Sequence, residues 1–152
     1  MEVSAALRQG VRIWGAASMG ALRAAECQSL GMVGVGWIFE KYVDGSLKAD
    51  DEVALLFDPV SHRAMTIPLV NVRWSIEIAI GEGLISKVSE AALIEVARSI
   101  RFSERTYKSL LNASSSEEIR ILVEFMKSNP QRTDRKLLDA RLLLDAMRGA
   151  QQ

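Results

Sequence analysis

One serine, Ser18, stands where the sequence predicts that a strand turns sharply into a helix. The residues from Val11 to Glu26 read VRIWGAASMGALRAAE, which is a short apolar run, a group of tiny residues and an alanine-rich stretch. A serine at such a turn exposes its hydroxyl beside the positive end of the helix dipole, near backbone N–H groups that have no helical acceptor. The run therefore predicts a site for an anion or an oxyanion.

The small residues around Ser18 fit the turn of a nucleophile elbow, in which the strand and helix backbones come too close for larger side chains. Ala16 lies two residues before Ser18, and Gly20 and Ala21 lie two and three residues after it. The sequence departs from the strict G-x-S-x-G pattern, and Ser18 could equally serve as a helix N-cap, which is worth about 1 kcal/mol. The sequence leaves both interpretations open.

Two other residues are considered for catalysis, Cys27 and His62. Cys27 would lie about 13 Å from Ser18 along a helix axis, which excludes a direct pair, and a thiol on an alanine-rich helix is more often a small buried hydrophobe. His62 is considered as a base because its charge changes near neutral pH. Its place between Ser61 and Arg63 in a polar turn favours an exposed side chain.

The elements that position these residues are predicted from hydrophobic periodicity and turn residues. The first strand leads through Ser18 into a helix that should end at Gly31, a residue suited to the left-handed conformation past a helix end. Residues 37–44 are predicted to form a second short helix, with Glu40 and Asp44 on one face. That face lies either in solvent or at a polar cleft.

Residues 52–57 and 64–67 are then predicted to pair as a β-hairpin. Pro68 starts a further helix, whose apolar residues recur at helical spacing. Asn71 and Arg73 lie in its first turn, where their polar groups could point towards a neighbouring site.

The remainder of the chain is predicted to be helical, with four antiparallel helices joined by short loops. Ser86 can cap the first of them, Ser115 with Glu118 makes a capping box for another, and Thr133 can cap the last. We therefore predict an α/β core with a short incomplete sheet over residues 1–85. A helical region packs on it over residues 86–152, so that helices dominate overall.

The composition disfavours several classes of function. Lysine plus arginine number 19, equal to aspartate plus glutamate, so nothing favours nucleic acid or an anionic membrane surface as a partner. No apolar run approaches the roughly 20 residues that span a bilayer, and the first residues lack a signal-peptide pattern, so we expect a cytoplasmic protein. With one cysteine and one histidine, we expect no disulfide, no metal site and no cofactor.

Four blocks in collinear order, over about residues 8–110, resemble the TfuA-like family. The blocks are GAASMGALRAAE (15–26), GMVGVGWIFEKYVDG (31–45), DDEVAL (50–55) and PLVNVR (68–73). Four matched blocks are more specific than an elbow motif alone.

The resemblance implies a role beside a YcaO-type protein in the backbone thioamidation of modified peptides. It implies that the YcaO-type partner activates the peptide carbonyl with ATP, while the TfuA-like protein hydrolyses a thiocarboxylated sulfur-carrier protein. In that hydrolysis a nucleophile attacks the thiocarboxylate carbon, backbone N–H groups hold the negative charge, and sulfide leaves. The alternative is a non-catalytic adaptor that binds the YcaO-type partner.

Under this resemblance Ser18 is the nucleophile and the Met19 N–H is an oxyanion donor. Arg23, in a catalytic role, or Arg73 would bind the anionic terminus of the carrier, because a guanidinium pairs bidentately with carboxylate-like groups. The expected substrate-binding set also contains Gly15, Gly20, Glu40 and Asn71.

Two departures from the family pattern bear on activity. Members often carry a histidine near the position of Phe57, and His62 does not align with it, so the general base is unassigned. Members usually have a longer segment ahead of the Gly-Ala-Ser region, so part of the sheet would be missing here. Because an unpaired buried strand edge promotes association, we expect a homodimer or a rearranged helical fold.

Overall fold

The chain folds into two compact units, seen in a computed structural model that describes residues 2–150. The first, called the elbow unit, holds residues 2–53 and 135–150, and the second, called the helical unit, is Ala54–Asp134. The chain therefore leaves the elbow unit after Val53 and re-enters it with its last helix. The predicted boundary after residue 85 lies within the helical unit, and the division into domains stays a prediction.

The described residues are mostly helical. The helices are α1 (Glu2–Arg8), α2 (Met19–Glu26), α3 (Trp37–Val43), α4 (Leu69–Gly81), α5 (Glu90–Ser99), α6 (Tyr107–Ala113), α7 (Glu117–Ser128), α8 (Pro130–Thr133) and α9 (Arg135–Gly149). The strands are β1 (Trp14–Gly15) and β2 (Val33–Gly34), and single 3-10 turns occur at Gln28–Leu30, Asp50–Glu52 and Lys87–Ser89. With 62% of the described residues helical and a short two-stranded parallel sheet near the N-terminus, the predicted helix-dominated class is confirmed.

The two strands of the elbow unit pair in parallel, with Trp14 beside Val33 and Gly15 beside Gly34. The Val35 N–H continues the pairing by donating to the Gly15 carbonyl at 3.0 Å. Because the strands are parallel, both end at the same edge of the sheet, where β1 leads to α2 and β2 leads to α3. That edge is where parallel sheets generally hold their ligands.

Glycine lets each strand lie against a helix. A Cβ at Gly15 would lie 2.1 Å from the Gly20 carbonyl oxygen of α2, and a Cβ at Gly34 would lie 2.1 Å from the Phe39 ring of α3. Neither position can therefore hold a larger residue without movement of the helix or ring against it. Glycine is unfavourable within a strand, and the glycines at residues 34 and 36 give no strand signal, so β2 was not predicted.

The helix that follows β1 is shorter than predicted. α2 ends at Glu26, and the chain then tightens into the 3-10 turn before Gly31, which has a left-handed φ of 92°. The Leu30 N–H donates to the Cys27 carbonyl at 3.0 Å, an i to i−3 bond that replaces the α-helical one. Cys27 itself is buried with Met32, as expected for a thiol that acts as a small hydrophobe.

The predicted β-hairpin of the helical unit is wrong in extent. The described residues there contain a single antiparallel bridge between Phe57 and Ala64, and Asp50–Glu52 is a 3-10 turn. The Leu56 N–H donates to the Thr66 side-chain oxygen at 2.8 Å. A side-chain hydroxyl therefore accepts from an N–H that would donate to a backbone carbonyl in a longer β-ladder.

The helical unit has an apolar core on the predicted face of α4. Pro68 is the N-cap of α4. The buried residues that pack against α4 come from α5, α6 and α7. The fully buried side chains of this core include Val72, Ile76, Ala79, Ala97, Leu110, Ile119 and Leu122.

Two predicted caps of this unit are wrong. Ser116, not Ser115, caps α7 by accepting from the Glu118 N–H. The Glu118 carboxylate accepts from the Ser86 N–H at 2.8 Å and does not complete the predicted capping box. Thr133 ends α8 and donates to the Asn129 carbonyl at 2.9 Å, so it does not start the last helix. Across residues 2–150, no helix combines the length and apolar character that crossing a bilayer requires.

Candidate functional site

The corner between β1 and α2 is a tight turn with a strained residue at its apex. Ala17 has a φ of 67°, a left-handed conformation that costs a residue with a Cβ about 1–3 kcal/mol. The Ser18 N–H donates back to the Ala16 carbonyl at 2.7 Å across this turn. The strain therefore falls on the residue before the serine, and it fixes the direction in which Ser18 leaves the strand.

Ser18 occupies the N-cap position of α2 without acting as a side-chain cap. Its carbonyl accepts from the Ala21 N–H at 2.9 Å, but its half-buried hydroxyl makes no hydrogen bond to any described residue. Between the two interpretations from the sequence, the capping hydrogen bond is therefore not formed.

The first N–H groups of α2 lack acceptors too. Neither the Met19 N–H nor the Gly20 N–H donates to another residue within 2–150. A hydroxyl beside two such N–H groups at the positive end of a helix matches the chemical needs of an oxyanion site. In nucleophile elbows the N–H of the residue after the nucleophile is an oxyanion donor, and Met19 is the residue after Ser18.

The neighbouring helix start, at α3, is arranged differently. The Asp139 carboxylate of α9 accepts from the Trp37 N–H at 3.1 Å and from the Ile38 N–H at 2.8 Å. Arg135, one turn earlier in α9, donates to the same carboxylate through Nε at 2.9 Å and through Nη2. A buried ion pair therefore caps α3.

This cap requires the residue before α3 to be glycine. Gly36 has a φ of 96°, and a Cβ there would lie 2.4 Å from the Asp139 carboxylate. Lys136 of α9 also donates to the Val53 carbonyl at 2.8 Å, at the point where the chain leaves the elbow unit. Sequence reasoning missed Arg135 and Asp139, since a cap from about 100 residues further along the chain has no local signal.

The predicted residues Arg23 and Glu40 lie on the outside of the elbow unit. The Arg23 guanidinium forms an ion pair with Glu26 on the exposed face of α2. Glu40 is exposed in the first turn of α3. The elbow unit thus contains six of the eight predicted site residues, and the hydrogen bonds of Arg23 run to Glu26 and not to Ser18.

The other two predicted residues, Asn71 and Arg73, belong to α4 of the helical unit. The buried Asn71 amide donates to the Asp134 carboxylate at 3.1 Å, and the Asn71 carbonyl accepts from the Ser75 hydroxyl at 2.6 Å. Arg73 is half-buried. Their assignment to a substrate site stays a prediction, and for Asn71 these contacts provide a structural role.

His62 also belongs to the helical unit, in an exposed turn. It has a φ of 55°, and its backbone N–H donates to the Asp58 carbonyl at 2.8 Å. The exposed side chain that the sequence favoured is confirmed. Over residues 2–150, no group of three histidine, cysteine or acidic side chains is placed to hold a metal ion.

The far end of α3 carries a titratable group with a shifted pKa. Burial, together with a smaller contribution from the nearby Glu52 carboxylate, raises the pKa of Tyr42 to about 12. The Tyr42 hydroxyl donates to the Ala49 carbonyl at 2.9 Å. The protonated phenol therefore links the end of α3 to the segment that follows it.

The comparison with protein families found a match that includes the residues of the corner. The family model described as TfuA-like protein matches residues 1–106, which contain the corner, both strands and α2 to α5. No curated protein matches the chain. Helix α9, which supplies Arg135 and Asp139, lies outside the matched region.

Proposed function

The chain belongs to the TfuA-like protein family, and we propose that, within a TfuA-type accessory system, it hydrolyses a thiocarboxylated sulfur-carrier protein. The sulfide released would serve a YcaO-type partner that installs a thioamide in a peptide backbone. Catalysis is assigned to the corner between β1 and α2. The observation that carries the proposal is the Ser18 hydroxyl, which is half-buried at a helix start and makes no capping hydrogen bond.

In the proposed first step, the Ser18 oxygen attacks the thiocarboxylate carbon and the carbon–sulfur bond breaks. The hydroxyl proton departs on the sulfur as HS⁻, leaving an ester between Ser18 and the carrier. The Met19 and Gly20 N–H groups hold the charge that develops on the carbonyl oxygen. Because the leaving sulfur takes the proton, this step requires no separate protein base.

In the second step, water hydrolyses the ester and regenerates the Ser18 hydroxyl. The carrier leaves as a carboxylate and one proton is released to solvent. The overall reaction consumes one water and one thiocarboxylate and gives one carboxylate, HS⁻ and a proton. Arg23 lies on the outer face of the same helix, where its guanidinium is available to the anionic carrier terminus by exchange with Glu26.

The test is sulfide release from a thiocarboxylated carrier by the purified full chain. Ser18→Ala should lower the rate at least a hundredfold, because the nucleophile is removed. Ser29→Ala is the matched control, since Ser29 is an exposed serine of the same unit whose hydroxyl makes no hydrogen bond to any described residue. Undiminished release by Ser18→Ala would refute the proposal.

The adaptor function is favoured by a different observation, an exposed apolar surface on the helical unit. Phe57 is 58% exposed and Val60 is 88% exposed, with Leu56 and Met65 beside them in the chain. The Asp58 carboxylate stabilises the turn by accepting from the Val60 and Ser61 N–H groups, which lowers the pKa of Asp58. Apolar side chains held outward in this way are typical of protein interaction sites.

The adaptor function is tested by titrating a YcaO-type protein with the chain and measuring the dissociation constant. Val60→Asp should raise it at least tenfold if this surface binds the partner, whereas Ser18→Ala should not change it. Val88→Asp is the control, because Val88 is equally exposed elsewhere on the unit. Equal binding by Val60→Asp and the control would contradict the adaptor assignment to this surface.

A further inference from the structure

Ala17 is the residue whose type fits its backbone conformation least well. Among residues 2–150, positive φ values occur at five glycines, at His62 and at Ala17. Glycine adopts positive φ without strain, and histidine adopts it more often than most residues do. Alanine has neither advantage, so the φ of 67° at Ala17 is kept at a cost in stability.

The turn around Ala17 is a γ-turn. The Ser18 N–H donates to the Ala16 carbonyl at 2.7 Å, and Ala17 is the residue between them. A γ-turn whose central residue has positive φ is rare and strained. Because this bond occupies the Ser18 N–H, the donors left for an oxyanion at the start of α2 are the N–H groups of Met19 and Gly20.

Both ends of this turn are held by hydrogen bonds of the elements that it joins. On the strand side, the Gly15 carbonyl accepts from the Val35 N–H at 3.0 Å. On the helix side, the Ser18 carbonyl accepts from the Ala21 N–H at 2.9 Å. The positive φ of Ala17 joins these two fixed ends, so the surrounding backbone maintains the strain.

We infer that Ala17 is a positioning residue for Ser18. A residue with a Cβ has only a narrow range of allowed conformations at positive φ, whereas glycine has a wide one. The Ala17 methyl group therefore confines the turn, and with it the Ser18 hydroxyl, to one position beside the Met19 and Gly20 N–H groups. The inference rests on the proposed function, in which Ser18 is the nucleophile and must be held close to its reactive position.

The first test is Ala17→Gly in the sulfide-release assay with the full chain. We expect kcat to fall about tenfold, because the loosened turn no longer aligns the nucleophile. KM should not change, since the variant removes no group that contacts the carrier. The urea midpoint should not fall, because glycine accepts the positive φ without strain.

The matched control is Ala49→Gly, which removes the same methyl group elsewhere in the elbow unit. Ala49 is exposed and has an ordinary φ of −108°. This variant should leave kcat and KM unchanged. An unchanged kcat in Ala17→Gly would overturn the inference, and so would a fall in kcat with a matching fall in the urea midpoint, because the methyl group would then be purely structural.

A second measurement judges Ser18 without the carrier. A fluorophosphonate reacts with activated serines: the Ser18 oxygen bonds to phosphorus, fluoride leaves, and the hydroxyl proton passes to solvent. Intact mass should show one label on the unaltered chain and on Ala49→Gly, none on Ser18→Ala, and labelling about tenfold slower on Ala17→Gly.

The two measurements separate the inference from the proposed function. If Ser18 is labelled and Ala17→Gly slows the labelling, but no chain releases sulfide, the proposed reaction is wrong and the role of Ala17 is supported. If the unaltered chain is not labelled at Ser18, or Ala17→Gly is labelled at the same rate, the inference is overturned whatever the sulfide assay gives.

Discussion

Two helices of the elbow unit begin at the same edge of the sheet, and their first turns are satisfied in opposite ways. At α3, the buried Asp139 carboxylate accepts from the Trp37 and Ile38 N–H groups. At α2, the Ser18 hydroxyl makes no such bond, and the Met19 and Gly20 N–H groups have no acceptor among residues 2–150. The first backbone N–H groups are thus bonded to an internal carboxylate at α3, whereas at α2 they have no acceptor within the described residues.

The difference separates stability from function. A helix start whose donors are occupied by an internal carboxylate contributes to folding and has no capacity left for a ligand. A helix start whose donors lack partners contributes less to folding, but it can stabilise negative charge that appears during a reaction. We therefore expect changes at α3 to alter the free energy of unfolding and changes at α2 to alter activity.

The largest effect should come from removing the carboxylate that caps α3. Asp139→Ala leaves Arg135 buried without its carboxylate and uncaps two N–H groups, and loss of one member of a buried pair costs about 3–5 kcal/mol. Urea denaturation followed by tryptophan fluorescence measures this loss in the free energy of unfolding, since Trp14 and Trp37 both lie in the elbow unit. Asp145→Ala on the same helix is the control, because Asp145 is 71% exposed and should cost less than about 0.5 kcal/mol. Equal costs for the two variants would show that the buried pair does not stabilise α3.

A smaller loss should follow from filling the space between β1 and α2. Gly15→Ala places a Cβ against the Gly20 carbonyl and the Met32 side chain, and such overpacking costs about 1–3 kcal/mol. Gly20→Ala is the matched control on the other side of the same contact, where the nearest atom would be 3.6 Å away. We expect Gly20→Ala to be neutral or slightly stabilising in urea denaturation, because alanine favours helix over glycine. Two variants of equal stability would mean that the strand and helix separate easily.

These two regions also differ in how far the sequence could predict them. The Ser18 corner was predicted because its signal is local, with tiny residues spaced around a serine before an alanine-rich helix. The strained φ fell on Ala17 and not on a glycine, which no residue-type rule indicates. The missing cap bond could not be predicted either, because serine favours the N-cap position whether or not its hydroxyl is engaged.

The α3 start could not be predicted, because its parts are distant in the chain. Gly36 by itself indicates no function, and only the position of Asp139 explains why a glycine is required there. Helix α9 was predicted as one of several C-terminal helices, yet its buried face is the ion pair of Arg135 and Asp139. Hydrophobic periodicity can indicate such a helix, but it cannot identify the packing face when the buried side chains are charged.

The far end of α3 offers a further way to sharpen the comparison, because it too is held by a side chain. Tyr42→Phe removes the hydrogen bond to Ala49 and should cost about 1 kcal/mol at neutral pH. Tyr107→Phe is the control, because the Tyr107 hydroxyl makes no hydrogen bond to any described residue. If both variants are equally stable, the bond to Ala49 contributes nothing measurable.

The pH dependence of the same variant follows from the raised pKa of Tyr42. The folded state keeps the phenol protonated up to a pKa of about 12, above the ordinary value of 10.0. This difference in pKa contributes to the free energy of unfolding. The contribution is fully present below pH 10 and is lost as the pH rises from 10 towards 12. Urea denaturation at several alkaline pH values should therefore show a shallower decline for Tyr42→Phe than for the unaltered chain. Identical declines would contradict the assignment of the raised pKa.

The smallest effect on stability, and the most direct test of the comparison, should come from Ser18→Ala. Because the hydroxyl has no hydrogen bond to a described residue, we expect the free energy of unfolding to change by less than about 0.5 kcal/mol. Ser116→Ala is the matched control, since Ser116 does cap α7, and its loss should cost about 1 kcal/mol. If Ser18→Ala costs as much as Ser116→Ala in the same urea titration, the hydroxyl is a cap in solution and the two helix starts are alike. If it costs nothing and sulfide release is lost, the hydroxyl acts in the reaction, because the fold does not depend on it.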